Sequence, residues 1–419
     1  MRILRRPTAG CPASAALALA AALIAGCSSR VLPTSPPLPP LSRVVLAIKR
    51  DTLAVGGSQF FTATAYDTNH VAVPGAGFSW TSTDPAVCTV TPAGLVTAVA
   101  EGVARIIAAA GGKADTANIY VKAAQTGWYT QTSGTANALN AVCFLSDGHT
   151  GFAVGAQGTM VTTTDAGATW APHASGVGTD LTSIWFSSPT VGWAVGSTGV
   201  LVQSTDAGVT WQRRTNMPTA VNLNCVRFAD PLHGWVVGAG GWIARTVDGG
   251  ATWTGRSWDL QPFYGVSFCD TTNGWAVGAG IVYGTHDGGA SWYKVLPSLT
   301  AQTLRSVWRV SNQQACGVGA QGTVVTAAAT VDSLAWTLSS VGAAYVLTAV
   351  QMTSATNGWA VGANPAGAVL VTTDGGVTWT PQVSSSAQPL NGVYFADGLR
   401  GWAVGALGRI VHTSSGGAP

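Results

Sequence analysis

Charged residues are scarce in this sequence. Asp, Glu, Lys and Arg make up 9% of its 419 residues, and Glu101 is the only glutamate. When Arg2, Arg5 and Arg6 of the N-terminal segment are set aside, seventeen basic and seventeen acidic residues remain. Proteins that bind nucleic acids usually concentrate basic residues on one face. The balanced charge therefore predicts no nucleic-acid partner.

Closely spaced metal ligands and nucleotide-binding motifs are also lacking. The cysteines beyond residue 27 stand far apart in the sequence, at Cys88, Cys143, Cys225, Cys269 and Cys316. Zinc and redox sites need pairs of nearby thiols, so we expect no metal and no cofactor, and cysteines that behave as small buried apolar residues. A G-x-G-x-x-G pattern occurs at 317–322, but no helical pattern follows it, which argues against a dinucleotide site.

The N-terminus has the pattern of an export signal. An apolar run from Ala13 to Leu23 follows the first arginines and leads into Ile24-Ala25-Gly26-Cys27. This pattern resembles the signal peptide and lipobox of bacterial lipoproteins, which implies a signal peptide at 1–26 and a lipid on Cys27. The alternative is an ordinary signal peptide or a membrane anchor, although the run is short for a membrane span. We expect an exported protein that is lipid-anchored in the cell envelope, at the outer membrane or cell surface.

Two segments follow the signal. Residues 27–42 are rich in proline and are predicted to form an extended spacer. Residues 43–122 alternate apolar and polar residues between turns, which predicts a β-sandwich with Trp80 as a core anchor. This segment resembles the group 2 bacterial Ig-like domains, through LAVGG at 53–57, FSWTSTDPAVCTV at 78–90, AGLVTAVAEGVARI at 93–106 and IYV at 119–121. The resemblance implies a spacer or adhesion module.

A repeat of about 40 residues fills the rest of the chain. The phrase GWAVG, or a variant of it, recurs seven times, each time after a short apolar strand and before two further strands. Four short strands per repeat is the content of a propeller blade. The sequence therefore predicts an all-β protein, with an Ig-like β-sandwich followed by a seven-bladed β-propeller at 126–417. Residues 127–134 are predicted to supply the last strand of the seventh blade, which closes the ring.

Five of the turns between the third and fourth strands of a repeat contain the same aspartate. They resemble the Asp box of bacterial neuraminidase repeats and read TTDAGATW, STDAGVTW, TVDGGATW, THDGGASW and TTDGGVTW. An aspartate repeated in this way is expected to accept backbone N–H groups of its own turn, while the tryptophan packs between blades. We predict a structural role for Asp165, Asp206, Asp248, Asp287 and Asp374.

The combination of GWAVG with the Asp box resembles the photosystem II assembly and stability factors and their bacterial relatives. The resemblance covers residues 126–417 and implies a non-enzymatic assembly scaffold that binds membrane-protein intermediates. With the lipobox and the spacer, we expect a surface or periplasmic binding scaffold whose partner is a protein or a glycan. The Ig-like domain departs from the arrangement of those factors. A surface adhesin, in which the Ig-like domain carries the function, is one alternative.

A glycoside hydrolase is the other alternative, because Asp-box propellers also occur in sialidases. The sialidase resemblance would require a glutamate in the propeller, and none is present. A pair of aspartates could still act as general acid and base. Asp180 and Asp259 are the weak candidates, since both precede inner strands and were expected in neighbouring loops. Four other aspartates follow the inner strands and are interpreted as turn formers: Asp147, Asp230, Asp270 and Asp397.

A group of basic and aromatic residues is the candidate binding patch. Its members follow the box tryptophans of successive repeats and comprise Arg213, Arg214, Arg256, Trp258 and Lys294. Arginine and tryptophan are enriched at protein interfaces, because each offers a large contact area together with directional polar groups. The expected partner is a protein or a glycan, and the expected contact with the membrane is through the N-terminal lipid alone.

Overall fold

The structure is a computed structural model and describes residues 39–122, 127–295, 300–329 and 334–418. The predicted signal peptide, Cys27 and most of the predicted spacer lie outside the described residues. Among the residues that are described, no helix is both long enough and apolar enough to span a bilayer.

The N-terminal domain is a β-sandwich. Its strands are β1 (Leu41–Leu46), β2 (Arg50–Ala54), β3 (Ser58–Phe60), β4 (Ala63–Asp67), β5 (Ser79–Ser82), β6 (Cys88–Val90), β7 (Leu95–Ala98), β8 (Gly102–Ala110) and β9 (Lys113–Lys122). They pair as β2-β9-β8-β5, as β3-β7-β6 and as the ribbon β1-β4. β1 begins two residues before the predicted domain boundary, because Leu41 already packs against the core.

Aliphatic side chains fill the core of the sandwich. Alternate residues of β8 and β9 point inward, so Ile106 and Ile119 are fully buried beside Phe61. Trp80 is half-buried and packs against this core, with its ring beside Gly94. The predicted core contact of Trp80 is present, but the fully buried centre is formed by other residues.

Four-stranded antiparallel sheets follow, which we number as blades 1 to 7. After β10 (Tyr129–Gln131) the strands of blades 1 to 3 are β11 (Leu139–Phe144), β12 (Gly151–Gly155), β13 (Met160–Thr163), β14 (Ala171–His173), β15 (Leu181–Phe186), β16 (Gly192–Gly196), β17 (Leu201–Ser204), β18 (Gln212–Arg214), β19 (Leu223–Phe228), β20 (Gly234–Gly238), β21 (Trp242–Thr246) and β22 (Thr254–Ser257). Those of blades 4 and 5 are β23 (Phe263–Phe268), β24 (Gly274–Gly278), β25 (Val282–Thr285), β26 (Tyr293–Lys294), β27 (Leu304–Ser311), β28 (Gln314–Gly319), β29 (Thr323–Ala329) and β30 (Leu334–Ser340).

Blades 6 and 7 complete the ring. Their strands are β31 (Val346–Met352), β32 (Gly358–Asn364), β33 (Ala366–Thr372), β34 (Thr380–Gln382), β35 (Leu390–Phe395), β36 (Gly401–Gly405) and β37 (Ile410–Thr413). Short 3-10 turns join second and third strands at Ala156–Gly158, Ser197–Gly199, Ala320–Gly322 and Ala406–Gly408. The outer strand of blade 7 is β10, which pairs with β37 as predicted, and β11 packs against β35. The ring of sheets is thus closed, and the described residues form a β-propeller of seven such sheets after the Ig-like domain.

Hydrogen bonds join neighbouring inner strands, meaning the first strand of each blade. In blades 1, 2, 3, 6 and 7 the second residue of the inner strand donates to the backbone of the next blade, as Asn140 Nδ2 does to the Leu181 carbonyl at 2.8 Å. Asn224 does the same to Phe263, and Asn391 to Leu139 across the closure of the ring.

Aromatic rings join the same blades farther out. The tryptophan of GWAVG stacks on the last residue of the next inner strand, so that Trp402 lies 3.8 Å from Phe144 between ring centroids. The box tryptophan of that next blade meets the same ring edge-on, with Trp170 at 5.9 Å from Phe144. Such pairs are favourable beyond the area that they bury. The GWAVG sequence that defines the repeat therefore supplies the aromatic ring that packs at the blade junction.

The Ig-like domain contacts the propeller through a buried acidic residue. Asp51 of β2 is 3% exposed, and its Oδ1 lies 3.7 Å from Nδ1 of His149 in the first turn of blade 1. Burial raises the pKa of Asp51, although His149 and Arg400 of blade 7 oppose the shift. The sandwich therefore touches the propeller where blades 7 and 1 meet.

The Gly250→Ala variant should fold less stably than the wild type. Gly250 has a φ of +82°, and a Cβ at this position would lie 2.3 Å from Cη2 of Trp193 in the preceding blade. The positive φ and the lack of space together should lower the free energy of unfolding by about 2 kcal/mol or more. Urea denaturation measures the loss, with Gly178→Ala as the control because no atom lies within 4 Å of its Cβ position. Equal stability of the two variants would contradict this packing.

Candidate binding surface

Each Asp box is held together by its own side chains. Asp248 Oδ1 accepts the Thr252 N–H at 2.9 Å and the Thr246 hydroxyl at 2.7 Å, and its Oδ2 accepts the Thr252 hydroxyl at 2.6 Å. The Thr246 hydroxyl oxygen also accepts the Gly250 N–H at 2.8 Å. The same set recurs around Asp165, Asp206, Asp287 and Asp374. Both oxygens of each carboxylate therefore accept hydrogen bonds from the turn, which they stabilise.

Blade 7 builds its box from the two ends of the propeller. Ser415 stands where the other boxes have aspartate, and Gly417 donates its N–H to the Thr413 hydroxyl at 2.7 Å. Trp128 takes the place of the box tryptophan, and its ring meets Phe395 edge-on at 5.7 Å. The Gly127 N–H donates to the Ser415 hydroxyl at 3.1 Å. The split blade is thus closed by side-chain packing as well as by strand pairing.

The aspartates after the inner strands form turns, as interpreted from the sequence. Asp147 accepts two backbone N–H groups, from His149 and Thr150, at 2.8 Å each. Asp230, Asp270 and Asp397 accept the equivalent pairs. These turns contact the Asp boxes of their own blades, so the two sets of loops share one face of the propeller.

The candidate catalytic aspartates serve different blade junctions. Asp180 Oδ1 accepts the Gln157 N–H at 2.8 Å. At the next blade junction, the side-chain oxygen of Asn222 accepts the Thr198 N–H in the same way. A carboxylate is not required for a contact that an amide also makes. The expectation that Asp180 and Asp259 lie in neighbouring loops was wrong, because the loop at 215–222 separates them around the ring.

Asp259 is bound into the junction of blades 3 and 4. Its Oδ2 accepts the Tyr283 hydroxyl at 3.0 Å and lies 3.2 Å from Nζ of Lys294. Partial burial raises the pKa of Asp259, but hydrogen bonds from Gln261, Tyr283 and Lys294 outweigh it, and the net pKa lies below its usual value. An aspartate with a lowered pKa is ionised at neutral pH and cannot act as a general acid.

The basic residues of the candidate patch are divided among the clefts between blades at the outer rim, which we call rim clefts. Thr254 lies opposite Arg245, whose Nη1 donates to the Gly288 carbonyl of blade 4 at 3.3 Å. Because side chains two residues apart in a strand share a face, Arg256 also faces blade 4. Arg214 has the same register in β18 and faces blade 3, whereas Arg213 lies on the opposite face of its strand.

The cleft between blades 3 and 4 holds most of the patch. The Arg256 guanidinium carbon lies 3.8 Å from the centroid of the Trp258 ring, a cation–π contact. Beside them is a cavity of about 220 Å³, lined also by Arg245 and by the Asp-box turn of blade 4. Lys294 enters the same cleft but is already paired with Asp259. Arg256, Trp258 and Lys294 are therefore brought together, and Arg214 occupies the equivalent place one cleft away.

Sequence reasoning missed a second group, in the central channel. The fifth residues of six of the seven inner strands line one end of the channel, and among them Trp185, Arg227 and Trp308 meet across it. Alignment of the inner strands shows that this position varies while its neighbours repeat. That variation was the available signal.

The cysteines of the described residues form neither disulfides nor a metal site. The five cysteines there are unpaired, and of these Cys269 alone is exposed. No group of His, Cys, Asp or Glu in the described ranges has the geometry of a metal site.

Family comparison decides the relationship of the chain. The model of the photosynthesis system II assembly factor YCF48 matches residues 120–216, 213–303 and 328–419, which is more than half of the sequence. The chain belongs to the YCF48 assembly-factor family. The model of the group 2 bacterial Ig-like domain matches residues 44–121. Both resemblances inferred from the sequence are thereby confirmed.

Solved structures agree on the fold of this YCF48-family propeller. A YCF48 bound to D1 peptide has a TM-score of 0.57 at 19% identity, over 70% of this chain and 96% of that one. YCF48 from Cyanidioschyzon merolae has a TM-score of 0.55 at 21% identity, over 68% and 98%. The WD40 repeats of RRP9 have a TM-score of 0.58 at 9% identity, over 70% and 98%. The likeness therefore establishes a propeller, and comparison with curated proteins finds no match.

Acid should weaken the propeller through its Asp boxes. Hydrogen bonds from Thr210 and Ser204 lower the pKa of Asp206 to about 2, and Asp248 and Asp374 are lowered to about 2 by the same kind of contacts. An unfolded aspartate has a pKa of about 3.9, so this stabilisation is complete above that pH and is lost as the pH falls toward 2. Urea midpoints measured from pH 7 to pH 2 should fall mainly below pH 4.

The Asp206→Asn variant should be less stable at pH 7 and should show a smaller fall below pH 4 than the wild type. Thr210→Val is the matched variant, since it removes a hydroxyl donor and leaves the charge. An unchanged pH dependence in Asp206→Asn would show that the box carboxylate does not couple to folding.

Proposed function

We propose that this chain is a lipid-anchored scaffold of the cell envelope that binds an acidic protein segment in the rim clefts of its propeller. The observation that carries the proposal is the cleft between blades 3 and 4, where Arg256 stacks on Trp258 beside a cavity of about 220 Å³. Arg214 repeats the position of Arg256 in the next cleft. The two arginines thus stand at successive clefts, where one extended chain can meet both.

The unpaired charge of the rim favours an acidic partner. Among the described residues, no ion pair involves Arg213, Arg214 or Arg256, and all three side chains are exposed. A guanidinium that lies on an indole keeps its N–H groups at its edge, where they can donate to a carboxylate. An acidic side chain would therefore gain a paired hydrogen bond at each cleft.

An extended protein segment fits this surface better than a compact ligand. Every residue of β22 is exposed, and β22 is the outer strand of its blade. An outer strand leaves backbone groups unpaired for contact with another chain. The structurally similar YCF48 bound to D1 peptide is a propeller of this family in complex with a peptide.

We infer that the propeller is not an enzyme. Its box aspartates are engaged in turns, Asp180 supports a backbone turn, and Asp259 is ion-paired. The general acid of a glycoside hydrolase needs a raised pKa and a partner carboxylate across the scissile bond. Neither candidate supports that arrangement.

The N-terminal pattern supports the proposed envelope location. The lipobox-like Ile24-Ala25-Gly26-Cys27 and the proline-rich segment after it fit an anchor and a spacer. The Ig-like domain would then add distance between the lipid and the propeller.

The double variant Arg214→Glu/Arg256→Glu should bind acidic peptides about tenfold more weakly than the wild type. The full-length protein is titrated with a fluorescent decapeptide that alternates Asp and Ala, and with its Asn counterpart, at two salt concentrations. Binding by the wild type should need the aspartates and should weaken with salt.

Charge reversal at Arg105, an exposed residue of β8 in the Ig-like domain, is the matched control. Equal losses in the control and the double variant would place binding outside the rim clefts. Tight binding of a neutral glycan that the double variant leaves unchanged would replace the proposed partner class.

Lipidation is tested at Cys27. The Cys27→Ser variant should lose incorporation of labelled palmitate and should leave the membrane fraction, whereas Cys88→Ser, a buried cysteine of the Ig-like domain, should keep both. Retained label in Cys27→Ser would refute the anchor without affecting the rim-cleft proposal.

A further inference from the structure

The central channel of the propeller contains a cation that the rim-cleft proposal does not use. The inner strands enclose a cavity of about 120 Å³, and residues from all seven blades line it. Arg227 of blade 3 lies at the end nearer the Asp boxes, because it is the fifth residue of its inner strand. We propose that this end of the channel binds a carboxylate group on Arg227.

Two tryptophans hold Arg227 in place. Its guanidinium carbon lies 4.7 Å from the centroid of the Trp185 ring and 5.9 Å from that of Trp308. The two indole rings are 6.3 Å apart between centroids, although they come from blades 2 and 5. Cation–π contacts of this kind fix the plane of the guanidinium and leave its edges for hydrogen bonds.

The hydrogen-bonding capacity of Arg227 is only partly used. Its Nη1 donates to the Val226 carbonyl at 3.0 Å. Its Nε is shielded from solvent and has no hydrogen-bond partner. Among the described residues, no carboxylate forms an ion pair with Arg227. A shielded donor without an acceptor is costly, so the site is set for a ligand that supplies an anionic oxygen.

The surroundings favour a singly charged anion. The other arginine that lines the channel is Arg305, the second residue of its inner strand, whereas Arg227 is the fifth. Three residues of strand separate these two levels by about 10 Å. A phosphate dianion at Arg227 would keep one charge without a partner among aromatic walls, which is unfavourable. A carboxylate matches the single guanidinium in charge and in its planar, two-oxygen shape.

The position of this group within the repeat also points to a ligand. At the fifth position the seven inner strands have Cys143, Trp185, Arg227, Ser267, Trp308, Gln351 and Tyr394. The first and fourth positions carry only apolar residues and serve the common core. Ser267 and Gln351 hydrogen-bond to the next inner strand, and Cys143 packs in the core, so these fifth residues serve the blade junctions. Trp185, Arg227 and Trp308 instead meet one another across the channel, where a ligand would contact them. The carboxylate could belong to a small organic acid or to the C-terminus of a protein chain.

Benzoate is the first probe, with benzamide as the neutral molecule of the same shape. Calorimetric titration of the full-length protein should show binding of benzoate and none of benzamide. The Arg227→Met variant, which keeps an unbranched side chain between the two indoles, should weaken benzoate binding about tenfold or more. Arg305→Met, at the other end of the channel, should leave the affinity unchanged.

A short peptide that ends in Phe, with a free or an amidated C-terminus, separates the two sources. Binding of the free acid together with benzoate identifies a chain terminus, whereas binding of benzoate alone identifies a small acid; both outcomes support the site. Equal binding of benzoate and benzamide by the wild type, or binding of neither, overturns the proposal without any variant. A loss confined to Arg305→Met also overturns it, because the anion would then lie at the opposite end.

Discussion

The propeller depends on the aromatic contact between neighbouring blades. A tryptophan from one blade stacks on the last inner-strand residue of the next, as in Trp402 on Phe144 and Trp359 on Phe395, each at 3.8 Å. The glycine of the Asp box lies against the same tryptophan, so the turn must have a positive φ and no side chain there. In a closed ring each junction also constrains the others, because no blade can shift without opening a gap elsewhere.

Blade 5 shows how the ring tolerates a departure from the pattern. Arg309 replaces the aromatic residue at the end of its inner strand and is 5% exposed. Its guanidinium carbon lies 4.9 Å from the centroid of the Trp275 ring, so a cation–π contact replaces the stacked pair. Trp336 covers the other part of the same ring at 4.3 Å. Arg309 also donates through Nε to the Ser311 carbonyl at 3.1 Å, which satisfies part of its hydrogen-bonding capacity. The junction is thus rebuilt with different chemistry, and the ring still closes.

The repeat made the fold predictable from the sequence. The sites could not be predicted in the same way, because they depend on which face of a strand a side chain occupies and on how the ring closes. Recurrence of GWAVG fixed the blades, and the match of residues 127–134 to the segments after the boxes identified the closing strand. Strand alternation decided which arginines share a cleft: Arg213 and Arg214 are adjacent in sequence and lie on opposite faces of β18. Trp185 and Trp308 are far apart in the chain, and only the closure of the ring brings them to Arg227. Trp80 packs against the sandwich core as predicted but is only half-buried, because aliphatic residues of β8 and β9 fill the centre.

Because charged residues are scarce, few carboxylates remain in the propeller to pair with its arginines. Nearly every aspartate of the described propeller forms part of a turn. Threonine or serine hydroxyls and backbone N–H groups stabilise the ionised form of Asp206, Asp248 and Asp374 and lower their pKa values. The ion pairs among its described residues involve Asp230 with His233, Asp259 with Lys294 and Asp397 with Arg400, and Asp51 of the sandwich approaches His149. Arg214, Arg227 and Arg256 are therefore left without an internal counter-ion. A protein with so few charges gains little stability from such residues, since an exposed cation contributes almost nothing to folding and a shielded one costs free energy. Their presence at two separate places, the rim clefts and the channel, is the common ground of both proposals, in which anionic groups from outside the chain supply the missing counter-ions.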